Sequence, residues 1–232
     1  MAKKTKITKK QLREPDEFIT VTQRAYQFIA QHLKRIATGA VVVIVLLLAI
    51  FFYLKWEEQK EEKADRELNL AAATYQRVAS PYGEISQTDY KNVLTKFDEV
   101  ISKFPRTSAG KLSLLYKGNI CLRLGEMEGA IEAYQAFLDK GGKEKLYRSL
   151  AMEGLGYAYE GKKDYQKALE SYQKVVEMGD GIPLADTYLN MGRCYEKLGK
   201  TKEALESYRN FVKVSPKSPM TNTVLRKISS LE

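Results

Sequence analysis

Histidine, cysteine and tryptophan are scarce in this 232-residue chain, which has one His, two Cys and one Trp. A zinc site needs clustered Cys, His or carboxylate ligands, and a Ser–His or Cys–His pair needs an imidazole beside its nucleophile. The one histidine, His32, precedes a long apolar stretch, so the rest of the chain has no imidazole. The phosphate-binding motifs GxxxxGK[ST] and GxGxxG are also missing. We therefore predict no catalytic residue, metal ligand or cofactor, and no enzymatic activity.

The net charge of +9 is concentrated at the N-terminus. Residues 1–55 hold ten Lys/Arg and three Asp/Glu, whereas residues 56–232 hold 28 and 26. A domain that binds nucleic acid should carry the basic patch on itself. We therefore predict no nucleic-acid partner, and the composition points to no small-molecule substrate.

A charge-free stretch covers residues 36–54 and reads IATGAVVVIVLLLAIFFYL. About 20 apolar residues cross the hydrocarbon core of a bilayer as a helix. A cleaved signal peptide would have a shorter apolar core and a small-x-small cleavage site, whereas YLKWEEQKEEK follows here. We therefore predict a retained transmembrane helix at 36–54, a signal-anchor that makes the membrane a partner through a single span.

The distribution of basic residues predicts the orientation of this span. The first 35 residues carry nine Lys/Arg, which favours a cytoplasmic N-terminus and a translocated C-terminal domain. Within about 20 residues of the span the basic residues are nearly balanced, so the prediction depends on the whole tail.

An amphipathic helix is predicted at 15–35, between a basic cytoplasmic tail at 1–14 and the span. At 100° per residue its apolar side chains fall on one face. Such a helix lies among lipid headgroups or packs on the helices of a partner. The candidate membrane or partner contacts are Phe18, Val21, Phe28, Ile29 and Leu33.

Residues 107–217 contain three repeats, at offsets of 38 and 36 residues. In each repeat a Gly is followed after twelve residues by an Ala, and after four more by a Tyr. These repeat-packing residues are Gly118, Ala130 and Tyr134, then Gly156, Ala168 and Tyr172, then Gly192, Ala204 and Tyr208. Small residues let two helices cross closely, and we expect the Tyr to fill the gap to the next repeat.

This periodicity predicts stacked helical hairpins and resembles the tetratricopeptide repeat. The fold class is therefore predicted to be all-α, a single transmembrane helix followed by a tetratricopeptide-type helical-hairpin solenoid. Residues 55–106 form a linker helix and a degenerate first repeat, with Val93 and Phe97 in the Ala and Tyr places. Residues 218–232, opening at Ser218 and Pro219, form a C-terminal capping helix. Cys121 lies in the first full repeat and Cys194 in the third, with one whole repeat between them, so they are predicted to be too far apart for a disulfide and to be free, buried thiols.

The resemblance implies a groove lined by the first helix of each repeat. The candidate groove residues are Leu115, Asn119, Arg123, Glu153, Tyr157, Leu189, Arg193 and Lys197. Their mixture of apolar, aromatic and charged side chains suits an extended peptide or the edge of a folded partner. Some members of the family clamp a C-terminal carboxylate with Lys and Asn, but only Asn119 fits that pattern, so binding of this kind is not predicted.

The layout as a whole resembles the bacterial YfgM-type family, an ancillary subunit of the Sec translocon. The resemblance implies a protein–protein interaction scaffold in the bacterial inner membrane with a periplasmic repeat domain. Translocon subunits, chaperones or exported clients would be its partners. Two alternatives use the same parts: a structural assembly subunit of another envelope secretion or appendage machine, and a cytosol-facing import receptor with the opposite orientation.

Overall fold

The computed structural model describes residues 17–79, 86–140 and 144–232, and these ranges contain nine helices and no strand. The predicted all-α class is confirmed. The chain divides into two compact units, Met1–Glu58 and Gln59–Glu232. The helices are α1 (Glu17–Val78), α2 (Gln87–Lys103), α3 (Ser108–Leu124), α4 (Met127–Lys140), α5 (Lys145–Gly161), α6 (Tyr165–Glu177), α7 (Ala185–Lys197), α8 (Thr201–Val214) and α9 (Thr221–Leu231).

Helix α1 is a single helix. The sequence predicted separate segments at 15–35, at 36–54 and at the start of the degenerate repeat. The physical reason is the lack of helix breakers: between Glu17 and Val78 there is no proline, and Gly39 is the only glycine. Pro15 and the basic tail at 1–14 lie outside the described residues.

The apolar part of α1 qualifies as a membrane-spanning helix by length and composition. An 18-residue window within Val21–Val78 has a mean hydropathy of 2.8, and none of that window is buried in the structure. The aromatic side chains at its C-terminal end, including Phe52 and Trp56, are exposed.

The end of α1 packs against helix α2, in the segment predicted to hold the degenerate first repeat. Ala64, Leu68 and Ala71 of α1 share one apolar core with Val93 and Phe97 of α2, and all five are buried. Val93 and Phe97 therefore stand where later repeats have Ala and Tyr. The connecting residues 80–85 lie outside the described part of the chain.

The three full repeats pair α3 with α4, α5 with α6, and α7 with α8. In each pair the Gly of the first helix faces the ring of the Tyr on the second, and the ring is almost completely buried. A Cβ on Gly118 would lie 2.5 Å from Cε1 of Tyr134, and one on Gly156 or Gly192 would lie closer still to its ring. The glycine makes room for an aromatic side chain, which is a more specific role than the close helix crossing expected from the sequence. The three Ala residues are also fully buried: Ala130, Ala168 and Ala204.

Tyr134 also reaches the next repeat. A Cβ on Gly154 of α5 would clash with its ring, so this ring lies between a glycine of its own repeat and one of the following repeat. The expectation that the Tyr fills the gap between repeats is met here. The place of Gly154 is taken in the third repeat by Asn190, which is 1% exposed.

Side chains cap the N-termini of α2, α3 and α6. Oγ1 of Thr107 accepts a hydrogen bond from the Gly110 amide at 3.0 Å, which caps α3. Helix α9 begins at Thr221 rather than at Pro219, because Ser218 caps the preceding turn by accepting from the Met220 amide at 3.2 Å. Val224 and Ile228 of α9 pack into the core of the last repeat.

Both cysteines are free and buried, as predicted. Burial raises the pKa of the Cys121 thiol to about 11 and that of Cys194 to about 12. These thiols are therefore protonated and poorly nucleophilic near neutral pH.

Gly156→Ala should destabilise the repeat domain by about 1–3 kcal/mol, because the added methyl group meets the buried Tyr172 ring. This loss outweighs the gain of about 1 kcal/mol in helix propensity. The measurement is urea unfolding of the detergent-solubilised chain, followed by circular dichroism. Gly129→Ala is the control, since its methyl group meets only the Cys121 side chain, at 3.2 Å. Equal stability of Gly156→Ala and the wild type would contradict the assignment.

Candidate functional site

The hydroxyl groups of the buried tyrosines donate hydrogen bonds to polar side chains on the first helix of each repeat. Tyr134 donates to Oδ1 of Asn119 at 2.6 Å, and Tyr172 donates to Oε1 of Glu160 at 2.6 Å. Tyr208 donates to Oε2 of Glu196. Each of these buried hydroxyl groups is thereby satisfied, as burial of a polar group requires.

Two of these acceptors also bind a cation from the helix two places further along the chain. Nη2 of Arg193 lies 3.2 Å from both carboxylate oxygens of Glu160. Nζ of Lys227 lies 3.0 Å from Oε1 of Glu196. The Glu160 and Glu196 side chains are only 17% and 21% exposed, and these ion pairs link α5 to α7 and α7 to α9. Arg193, predicted for the groove, is therefore engaged within the fold.

We describe two hollows in the repeat domain. The first hollow is a cavity of about 620 Å³ that brings together four of the predicted groove residues: Asn119, Arg123, Glu153 and Tyr157. Aromatic and apolar side chains supply most of the remaining wall. They are Tyr75, Leu122, Met127, Tyr134 and Leu150, with Gly154 between them.

The second hollow is a cavity of about 450 Å³ that contains three other predicted residues, Leu189, Arg193 and Lys197. Its other lining residues are Glu196, Tyr208, Met220, Thr223, Val224 and Lys227. Leu115 lines neither hollow, because it is 5% exposed and belongs to the core of the first full repeat. Leu115 was expected in the groove, but its side chain packs in the core instead.

Some lining residues escaped the sequence analysis. Leu150 is 43% exposed and lies three residues before Glu153, so helical periodicity alone places the two on one face. Tyr75 lies in the degenerate repeat, where no register was available to align it. Met220 and Lys227 come from the capping segment and helix, which were not expected to line a cavity.

Glu153 is a partly buried carboxylate in the first hollow. Oγ1 of Thr187 donates to its Oε1 at 3.1 Å. Burial raises the pKa of Glu153, the Thr187 hydrogen bond opposes this, and the negative charge of Asp186 adds to it. The carboxylate is thus held in a setting that favours its protonated form more than water does.

Tyr157 presents an aromatic edge to the same hollow. Its side chain is 38% exposed and its ring meets Tyr172 edge-on, with 6.0 Å between centroids. Burial raises the pKa of its phenol, so the hydroxyl group stays neutral at physiological pH.

The apolar face predicted for the N-terminal part of α1 is exposed in the described structure. Val21 is 63% exposed, Phe28 61%, Ile29 49% and Leu33 58%. The Phe28 ring packs edge-on against His32, with centroids 4.7 Å apart. The side chain of Phe18 lies outside the described residues. Binding by this face remains a prediction.

Among the residues that the structure describes, no group of three or more His, Cys, Asp or Glu side chains is arranged to hold a metal ion.

A family model described as "Tetratricopeptide repeat-like domain" matches residues 26–232. The chain belongs to this family. No curated protein matches the sequence. Tetratricopeptide repeat domains typically serve as scaffolds for protein–protein interaction, so the two hollows of this domain are candidate protein-binding surfaces.

Solved structures resemble the tetratricopeptide repeat domain in fold. A crystal structure of MamA protein is 18% identical, with a TM-score of 0.58, covering 73% of this chain and 81% of that one. MamA 41-end from Desulfovibrio magneticus RS-1 is 18% identical, with a TM-score of 0.54 and coverages of 67% and 77%. A tetratricopeptide repeat protein from Parabacteroides merdae is 16% identical, with a TM-score of 0.56 and coverages of 74% and 61%. At these identities the likeness establishes the fold alone.

Glu153→Gln should stabilise the repeat domain at pH 7, because it removes a charge that the folded protein disfavours. Because the folded-state pKa is raised, the folded protein holds this proton more tightly than the unfolded chain, and stability falls as pH rises above about 4.3. Gln retains an acceptor for Thr187 and removes the charge. Urea unfolding at pH 4 and pH 7 measures the effect, which should vanish at the lower pH.

Glu206→Gln, at an exposed position of α8, is the matched control for this comparison. A Glu153→Gln protein that is less stable than the wild type at pH 7 would show that the charged form is favoured in the fold.

Proposed function

We propose that this protein is a membrane-anchored interaction scaffold of the bacterial inner membrane. Its tetratricopeptide repeat domain lies on the outer face, where it links the Sec translocon to exported proteins and periplasmic chaperones. The proposal rests on the resemblance of the layout to the YfgM-type family. One observation carries the proposal. The residues that match the family model include both an apolar helix long enough to span a membrane and a solenoid with two open hollows.

Membrane anchoring is supported by the exposure and composition of α1. Its apolar side chains from Val41 to Leu54 are about half exposed or more, and no described part of the chain covers them. Burying this surface in lipid removes it from water, which is the dominant favourable term in such insertion. The match to the family model starts at residue 26, so it includes this stretch together with the repeats.

Protein binding is supported by the lining of the hollows. Exposed apolar side chains such as Leu150 and Met220 lie beside charged ones such as Lys197. Sites of this composition bury an apolar anchor of the partner and use surrounding polar groups for specificity. The apolar face of α1 that contains Phe28 would contact the translocon or the headgroup region.

The orientation can be tested with engineered cysteines, because both native thiols are buried and protonated. A membrane-impermeant maleimide applied to spheroplasts should label Lys202→Cys, which is exposed on α8, because the repeat domain is external. Lys9→Cys, in the basic tail, should be labelled only after lysis. The reverse pattern would place the repeats in the cytosol and favour the import-receptor alternative.

Photo-crosslinking in cells tests the partners. We expect a crosslinker at Phe28 to form adducts with translocon subunits, and one at Leu189 to form adducts with exported proteins or chaperones. Mass spectrometry of the adducts measures the outcome. A crosslinker at Lys202, away from both hollows, is the control position. Adducts from Leu189 to one dedicated secretion or appendage machine would reassign the protein as an assembly subunit.

A further inference from the structure

One position in the repeat register carries a charge where its two counterparts carry leucine. Three residues before the recurring Gly, the repeats have Leu115, Glu153 and Leu189. Leu115 is 5% exposed and packs in the core. Solenoid packing therefore accepts an apolar residue at this place, and a carboxylate there is not required by the fold.

Glu153 differs from the other partly buried glutamates of the first helices in having no cation. Glu160 is paired with Arg193 and Glu196 with Lys227. Glu153 receives a hydrogen bond only from Thr187, and no Lys or Arg of the described residues forms an ion pair with it. A partly buried carboxylate without a counter-charge is unfavourable unless a cation is supplied from outside.

The surroundings of Glu153 fit the side chain of a cation. Leu150, one turn earlier, and the ring of Tyr157, one turn later, are both exposed in the first hollow. An apolar and aromatic wall receives the methylene stem of Lys or Arg and interacts favourably with its charge. Arg123 also lines this hollow, but its charge and its hydrogen bond are directed to the phenol of Tyr75, where they oppose the rise in pKa that burial causes. The exposed Asp186 adds negative charge near Glu153.

We propose that the first hollow binds partner proteins through a Lys or Arg side chain, which pairs with the Glu153 carboxylate and packs on Tyr157 and Leu150. The inference rests on the proposed function and specifies the chemistry of its binding surface. The occupant is an extended segment that presents one basic residue between apolar residues. Charge complementarity selects it, because the groove offers an unpaired carboxylate beside apolar surface.

Synthetic peptides with blocked termini, Ala-Leu-X-Leu-Ala, test this directly, with X as Lys, Arg, Gln or Glu. Each carries a fluorophore, and binding to the full chain in detergent micelles is measured by fluorescence anisotropy. The Lys and Arg peptides should bind the wild type about tenfold more tightly than the Gln peptide, because a charge-assisted hydrogen bond is formed only with the basic residues. Glu153→Gln should abolish this preference, and Glu153→Lys should transfer it to the Glu peptide.

Glu206→Gln removes the same charge at an exposed position of α8 that lines neither hollow, so it is the matched control and should leave the preference for basic peptides unchanged. Equal binding of all four peptides to the wild type would overturn the inference, and so would a basic preference that survives in Glu153→Gln. Failure of the basic peptides to bind at millimolar concentration would overturn it too.

These outcomes are separable from those for the proposed function. Adducts from Leu189 to exported proteins, found together with no preference among the peptides, would leave the scaffold function in place and remove only the cation site. A preference for basic peptides without any translocon or client adducts would support the cation site and remove the proposed scaffold function.

Discussion

The fit of each tyrosine ring against a glycine of its own repeat determines how the two helices of a hairpin pack. The ring of Tyr172 occupies the space that a Cβ on Gly156 would need, and the other two repeats use the same arrangement. Because the rings are completely or almost completely buried, they contribute much of the apolar surface that each hairpin removes from water. The hydroxyl groups then emerge where the first helix can offer an acceptor. The polar chemistry of that helix is in this way tied to the packing of the core.

This connection divides the polar side chains of the first helices into two kinds. Asn119, Glu160 and Glu196 accept hydrogen bonds from the tyrosines, and Arg193 and Lys227 complete ion pairs with two of them. Their charges and hydrogen bonds are largely satisfied within the protein. Glu153, Tyr157 and Lys197 lie in the hollows without an equivalent role in the stack. Glu153 accepts a hydrogen bond from Thr187 and the Tyr157 ring meets Tyr172, yet both side chains also line the first hollow, where a partner can contact them.

The repeat register could be read from the sequence because it depends on residue types that recur at fixed spacing: Gly, Ala and Tyr at intervals of twelve and four. The buried state of Cys121 and Cys194 followed from their places in that register. Other features depend on tertiary contacts that leave no periodic trace. Leu115 has the same spacing as the groove residues but faces the core, and Arg193 reads as a free cation until its pairing with Glu160 is seen. Tyr75 lies in a repeat too degenerate to align, and the continuity of α1 reflects missing breakers rather than any positive signal.

The position of Tyr134 has a consequence for how the domain opens. Its ring is enclosed by Gly118 of its own hairpin and Gly154 of the next, so these two hairpins cannot separate without exposing it. The third repeat has the buried amide Asn190 at the place of Gly154. Neighbouring repeats are therefore coupled by different contacts along the solenoid: the first two full repeats share the Tyr134 ring, whereas the second and third share the buried core of α6 and α7 and the Glu160–Arg193 ion pair.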